Sequence, residues 1–303
     1  MKVIRPITIT EAMLISSTVA EPDTGENAWS GATTYALSDE VYLASTHRRY
    51  RSKQAGNLNH NPATDDGTWW LNIGGTNKWA MFDEYVGTAT PDTDTLEVTI
   101  APGVCDGLFL YGMVGETATV VMTDGAGGPT VYERELNLLL PKINDWFAYY
   151  FEPYRQVPAF VFTDLPPYLN GRITLTVEGD GAVACGMMLP GRTYNIGSTL
   201  TRPRVGIKDY SRKTIDSETG FVTLEQRKFA KTLKADVRLA ADVWNEVHDV
   251  LESLRATPCV WVGDNEGGEG IQPLTVFGFY RDMFLTVDLA TAGIYSLDVE
   301  GMI

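Results

Sequence analysis

A mainly β protein is predicted by this sequence: a small three-stranded aromatic module, a jelly-roll-like β-sandwich and a C-terminal α+β domain carrying one helix. Three observations predict it. Short apolar-alternating runs recur at roughly ten-residue spacing between Phe82 and Gly197, with Gly, Pro and Asp at the breaks. Leu233, Ala235, Val237 and Leu239 alternate with Lys234, Asp236 and Arg238, the period-two mark of a half-buried strand. A short stretch from Ala28 to Trp79 holds four of the seven tryptophans, so its core must come from a few large rings instead of Leu and Ile.

Taken in order, residues 1–23 form an extended segment. Ile7 and Ile9 face one way and Thr8 and Thr10 the other, and Glu11-Ala12-Met13-Leu14-Ile15 has room for one helical turn. Extended backbone needs a pairing partner, and another subunit is one candidate.

Residues 24–82 form the small module. Gly31 and Asn57 punctuate it, Glu40 to Ala44 and Arg49 to Lys53 alternate, and Asn61-Pro62 breaks the chain ahead of Thr68-Trp69-Trp70-Leu71. The order Trp29, Tyr35, Val41, Tyr50, an Asn-Pro turn and a closing Trp70 resembles the small chitin-binding-type carbohydrate modules of families 5 and 12. The resemblance implies a module core of Trp29, Tyr35 and Trp70, and a sugar-stacking face. The sequence departs from that pattern after Tyr50, where Arg51-Ser52-Lys53 replaces exposed aromatics. Two readings therefore stand: Trp29, Tyr35, Tyr50 and Trp70 spent on the core, or Trp69, Trp79 and Tyr50 held open for pyranose stacking, with Trp69 and Trp79 the expected exposed rings.

Residues 83–199 form the sandwich, with strands expected at Thr95–Ile100, Gly107–Val114, Thr117–Thr123, Thr130–Leu138, Trp146–Phe151, Ala159–Phe162, Arg172–Val177 and Ala182–Met188. The Gly-rich run from Asp124 to Pro129 joins two of them as a hairpin. It lacks G-x-G-x-x-G spacing and a following helix, so phosphate cradling is not implied. Alternation along Trp146–Phe151 would expose Phe147, Tyr149 and Phe151, a row suited to a subunit interface or a sugar platform.

Residues 200–303 hold eleven of the 24 basic residues between Arg202 and Arg255. After the Leu233–Leu239 strand, Asp242 is expected to cap the one helix, in which Val243, Trp244, Val247, Val250, Leu251 and Leu254 recur at helical spacing. Strands follow at Cys259–Val262, Leu274–Tyr280 and Ile294–Val299. Arg202, Arg204, Lys208, Arg212 and Lys213 suit a solvated or subunit-bridging stretch; contact with DNA in a channel is the alternative.

Composition narrows the function. A net charge of −15 argues against specific nucleic acid or an anionic membrane as partner. Cys105, Cys185 and Cys259 show no C-x-x-C spacing, and His47, His60 and His248 no ligand spacing, so neither metal nor cofactor is expected. Asp264 to Gly270 is calcium-loop-like in composition alone. With no G-x-S-x-G elbow, Ser-x-x-Lys or catalytic Cys context, no catalytic residue is assigned and no enzyme is expected. No span long enough for membrane insertion and no signal-peptide core are visible, which implies synthesis and folding in the cytoplasm.

Ile9 to Val19, Thr76 to Asp83, Asp145 to Pro153, Asp209 to Lys213 and Gly278 to Asp282, in that order, resemble blocks of proteins from the tail-morphogenesis clusters of tailed bacteriophages and prophages. The resemblance implies a virion protein of the tail tip or baseplate, made in the host cytoplasm. It further implies a symmetric homo-oligomer, three- or six-fold, in contact with other tail proteins, its C-terminal domain tail-tube-like and its aromatic module peripheral. The alternative is an adhesin that binds host-surface polysaccharide.

Overall fold

The computed structural model describes residues 1–22, 27–140, 145–151, 155–200, 202–263, 272–289 and 292–302. Its frame is a ten-stranded sheet with antiparallel neighbours. From one edge the order is Ala159–Phe162, Gly107–Tyr111, Met187–Asn195, Lys2–Pro6, Cys259–Val262, Thr275–Leu289, Ala292–Gly301 and Phe229–Ala240, with Ser198–Thr199 and Arg204–Asp209 both pairing with that last strand. The fold is mainly β, as the alternation predicts.

This sheet runs through segments 83–199 and 200–303 alike, and the N-terminal strand joins them. Lys2–Pro6 pairs with Met187–Asn195 on one side and Cys259–Val262 on the other. A partner subunit for this segment is therefore corrected to a partner within the chain. Val3 and Ile4, each 0% exposed, enter the cores on opposite faces of the sheet.

Burial pattern explains the layering. Strands covered on both faces are apolar throughout, as in Gly107–Tyr111 (GLFLY) and Cys259–Val262 (CVWV). Strands with one wet face alternate, as in Thr117–Thr123 and the first part of Arg172–Cys185. The latter two belong to a five-stranded sheet ordered Thr130–Asn137, Thr117–Thr123, Arg172–Cys185, Thr90–Ile100 and Leu14–Ser17. Its Leu96, Val98, Val120 and Leu175 share a core with Leu108, Leu110 and Met188 of the large sheet, which makes the sandwich. Arg172–Cys185 is one strand where two were expected. Its register shifts between Glu178 and Ala182, where Gly181, at φ +98°, interrupts the apolar pattern without ending the ladder.

Trp146–Phe151 is a helix, α1, and not the expected strand. An unbroken run of aromatic and small apolar residues carries neither a period of two nor one of 3.6. As a helix it brings together residues four apart: Trp146 and Tyr150 stack at 6.2 Å between centroids, and Phe147 and Phe151 meet tilted at 5.1 Å.

The second helix, α2, spans Trp244–Ser253. Asp242 does not cap it. A 3-10 turn, Ala241–Val243, precedes the helix and leaves Val243 at the cap position with no side-chain cap bond. Val247, Leu251 and Leu254 pack on Leu233, Val237, Trp261 and Tyr295 of the large sheet. Leu251→Ala should cost about 3 kcal/mol through the cavity it leaves, measured as a lower urea midpoint at unchanged m-value.

Candidate functional site

The aromatic module is a four-stranded sheet, Asn27–Ala28, Glu40–Leu43, Arg48–Ser52 and Trp70–Gly75, beside a two-stranded ladder of Thr34–Tyr35 with Asn57–Leu58. Three strands were expected; the sheet adds Asn27–Ala28, which pairs parallel to Glu40–Leu43, and the ladder adds the other two. Tyr35, Val41, Tyr50 and Trp70 form its core, with Trp29 partly buried against them. The Trp70 ring meets Tyr35 edge-on at 5.2 Å, and its indole N–H donates to the His60 carbonyl at 2.8 Å. The Asp65 carboxylate accepts the backbone N–H groups of Gly67, Trp69 and Trp70, building the turn that delivers both tryptophans.

The three candidate sugar-stacking residues do not share a platform. Tyr50 is 7% exposed, inside the module core. Trp79, also 7% exposed, is corrected from an exposed ring to a buried one. It leads into the 3-10 turn Ala80–Phe82 and enters the sandwich core with Met81 and Phe82. There it stacks on His47 at 4.3 Å and donates its indole N–H to Glu21 at 3.0 Å. Glu21 also accepts from the Thr76 hydroxyl at 2.7 Å and lies 3.0 Å from His47 Nδ1, so this carboxylate ties the N-terminal segment to the module. Trp69 is half-buried, with His60 parallel to it at 3.8 Å.

A second candidate surface lies in the basic stretch. Every residue of Arg204–Asp209, Arg212–Ile215 and Val222–Glu225 is exposed. The last two strands form a ribbon in which Arg212 faces Glu225 and Ile215 faces Val222. This arm is built, not loose. At its tip Asp216 accepts the backbone N–H groups of Glu218 at 2.9 Å and Thr219 at 2.7 Å, which hold its carboxyl below the usual carboxylate range, and Gly220 supplies φ +73°. Yet the arm presents Ile215, Phe221, Val222 and Leu224 to solvent, Phe221 at 74% and Leu224 at 73% exposure. Ile207, Phe284 and Val287 are exposed as well. A two-stranded ribbon alone is marginally stable in water, and apolar side chains gathered on an exposed surface mark an interaction site.

The arm's root is anchored. Glu300, 8% exposed, accepts from the Tyr210 hydroxyl at 2.6 Å, Lys208 Nζ at 2.9 Å and Arg281 Nη1 at 3.2 Å. The Tyr210 hydrogen bond, then Lys208, holds its carboxyl below the usual carboxylate range. A carboxyl lowered by folding adds stability above its unfolded pKa, about 4.3, and loses it as pH falls through the folded value. Glu300→Gln should therefore cost about 1–2 kcal/mol at pH 7, a modest loss because water screens the lysine and arginine partners. The difference from the parent should shrink as pH falls below about 4.3 and on through the lower folded value, checked by urea melts across pH.

Among the described residues, no group of three or more His, Cys, Asp or Glu side chains is placed to hold a metal ion. Burial pushes the Cys105, Cys185 and Cys259 thiols up to about 12, far from a reactive thiolate. No helix among the described residues is long and apolar enough to cross a membrane. The acidic run 264–270 lies outside the described residues. Comparison with protein-family models, curated proteins and solved structures finds no match for this chain.

Proposed function

We propose that this chain is a structural subunit of a phage tail tip or baseplate that assembles with copies of itself through the arm at residues 204–225, carrying the aromatic module at its periphery. The observation that carries the assembly reading is the arm: a preformed β ribbon whose apolar residues face water on a chain that has large buried cores elsewhere. Charge supports a second copy as the partner. Residues 202–229 hold seven basic against four acidic side chains, while the remainder of the chain holds 17 basic against 35 acidic. The arm itself is charge-balanced, and the excess lies at its two ends, where Arg202, Arg227 and Lys228 are attracted to the acidic surface of a second copy. The placement in a tail rests on the sequence resemblance across the five blocks. The test is the mass of the purified chain in solution over a concentration series; a single-chain mass at every concentration rejects assembly through this arm.

The adhesin reading retains one of its three rings, since Trp69 alone is partly accessible. Titrating chitin oligomers should then quench tryptophan fluorescence in the parent and not in Trp69→Ala. An unchanged spectrum in the parent rejects it for that glycan class.

A further inference from the structure

Helix α1 stands at the end of a two-stranded stem, Leu139–Leu140 paired with Arg155–Gln156. Trp146, Phe147, Tyr150 and Phe151 are 77, 67, 66 and 72% exposed. At about 100° per residue these four rings lie on one side of the helix, as the two ring contacts require. Such a knob of Trp, Tyr and Phe is the composition of an interface anchor, in which each ring buries about 150–250 Å².

The large sheet carries a complementary hollow on the face away from the five-stranded sheet. Phe277, Phe109 and Tyr111 stack in series there at 6.1 Å spacings. With Met187 they line an open cleft of about 260 Å³. That is below the ~300–1,000 Å³ of small-molecule pockets and on the scale of side chains. Lys228 and Lys231 also line it. Burial lowers the Lys231 ammonium from the ordinary lysine range, and it forms no ion pair among the described residues. The helix carries Asp145 immediately before Trp146, and Glu152 follows Phe151 in the sequence. An aromatic helix bounded by acidic residues in the sequence thus matches an apolar cleft lined by lysines.

We infer that the aromatic knob of α1 docks into the Phe109–Tyr111–Phe277 cleft of a second copy of this chain, an inference that rests on the assembly reading and adds a second contact to the arm. Knob and cleft are different surfaces, so the contact is head-to-tail, the type that closes into rings or extends into filaments.

The test uses the full chain in sedimentation velocity over a concentration series. Phe147→Ser/Phe151→Ser alters exposed positions, should melt like the parent, and should weaken self-association at least tenfold. Lys228→Glu on the cleft should weaken it likewise. As a direct readout, a Phe151→Cys copy mixed with a Phe229→Cys copy should form an inter-chain disulfide, the three native thiols being buried. Parent-like association of the knob variant, or no cross-link in a mixture that assembles normally, overturns the inference. So does a knob whose protection from solvent is independent of concentration, which would place it in the cleft of its own chain. Phe221→Asp/Leu224→Asp run in parallel separates the two contacts. Loss of assembly there with a parent-like knob variant overturns the knob contact alone; a parent chain monomeric throughout overturns both.

Discussion

Ile4→Asp should leave the chain without a cooperative folded state at 25 °C. Ile4 is 0% exposed, sits on the fourth strand of the ten-stranded sheet and packs against Phe109, Leu189, Val260 and Phe277. The substitution loses the burial of a large aliphatic side chain, about 1.5–3 kcal/mol. It also asks a carboxylate to enter an apolar layer with no partner, several kcal/mol more. The sum rivals the ~5–15 kcal/mol that holds a typical domain together. The position matters beyond its contacts, because Lys2–Pro6 is the strand on which both halves of the sheet are zipped. Circular dichroism and a urea melt decide it: a parent-like cooperative transition would mean that the two halves hold together without this strand.

Phe221→Asp/Leu224→Asp should give a chain that melts with the parent and does not assemble. Both side chains are largely in water within the single chain, and changes at such positions stay within about ±0.5 kcal/mol of fold stability. Buried in an interface, each aromatic or aliphatic anchor is worth about 2 kcal/mol, and an aspartate left there adds a desolvation cost. Together the two should weaken association at least about 100-fold. Light scattering against concentration measures this. Raising salt from about 0.1 to 0.5 M should weaken parent assembly as well, because the basic residues flanking the arm, Arg202, Arg227 and Lys228, are drawn to an acidic chain by charges that ions screen.

The sequence made local alternation legible and long-range pairing illegible. Thr117–Thr123 and Phe229–Ala240 alternate visibly because one face is wet, and strands there follow from the pattern. Nothing in residues 2–6 says that the partners are Met187–Asn195 and Cys259–Val262, nearly two hundred residues and more away; that pairing is a property of the closed sheet. Trp79 failed for a related reason. Whether an indole is open or buried depends on what lies over it, and here His47, Phe82 and Glu21 surround it from three separate segments. Trp146–Phe151 lacked any period to read. The arm had a signal that composition obscured: Val205, Ile207, Ile215, Phe221, Val222 and Leu224 lie among basic residues, which suggests solvated strands, and only the structure places these apolar side chains in water with no core to enter.

Amide hydrogen exchange across residues 212–225, followed in the full chain as its concentration rises, tests the self-assembly through the arm most directly. Rapid exchange in dilute solution, giving way to protection of the ribbon in step with growing mass, is the expected result. Exchange that stays rapid at every concentration, whether the mass remains that of one chain or grows through some other surface, would contradict it.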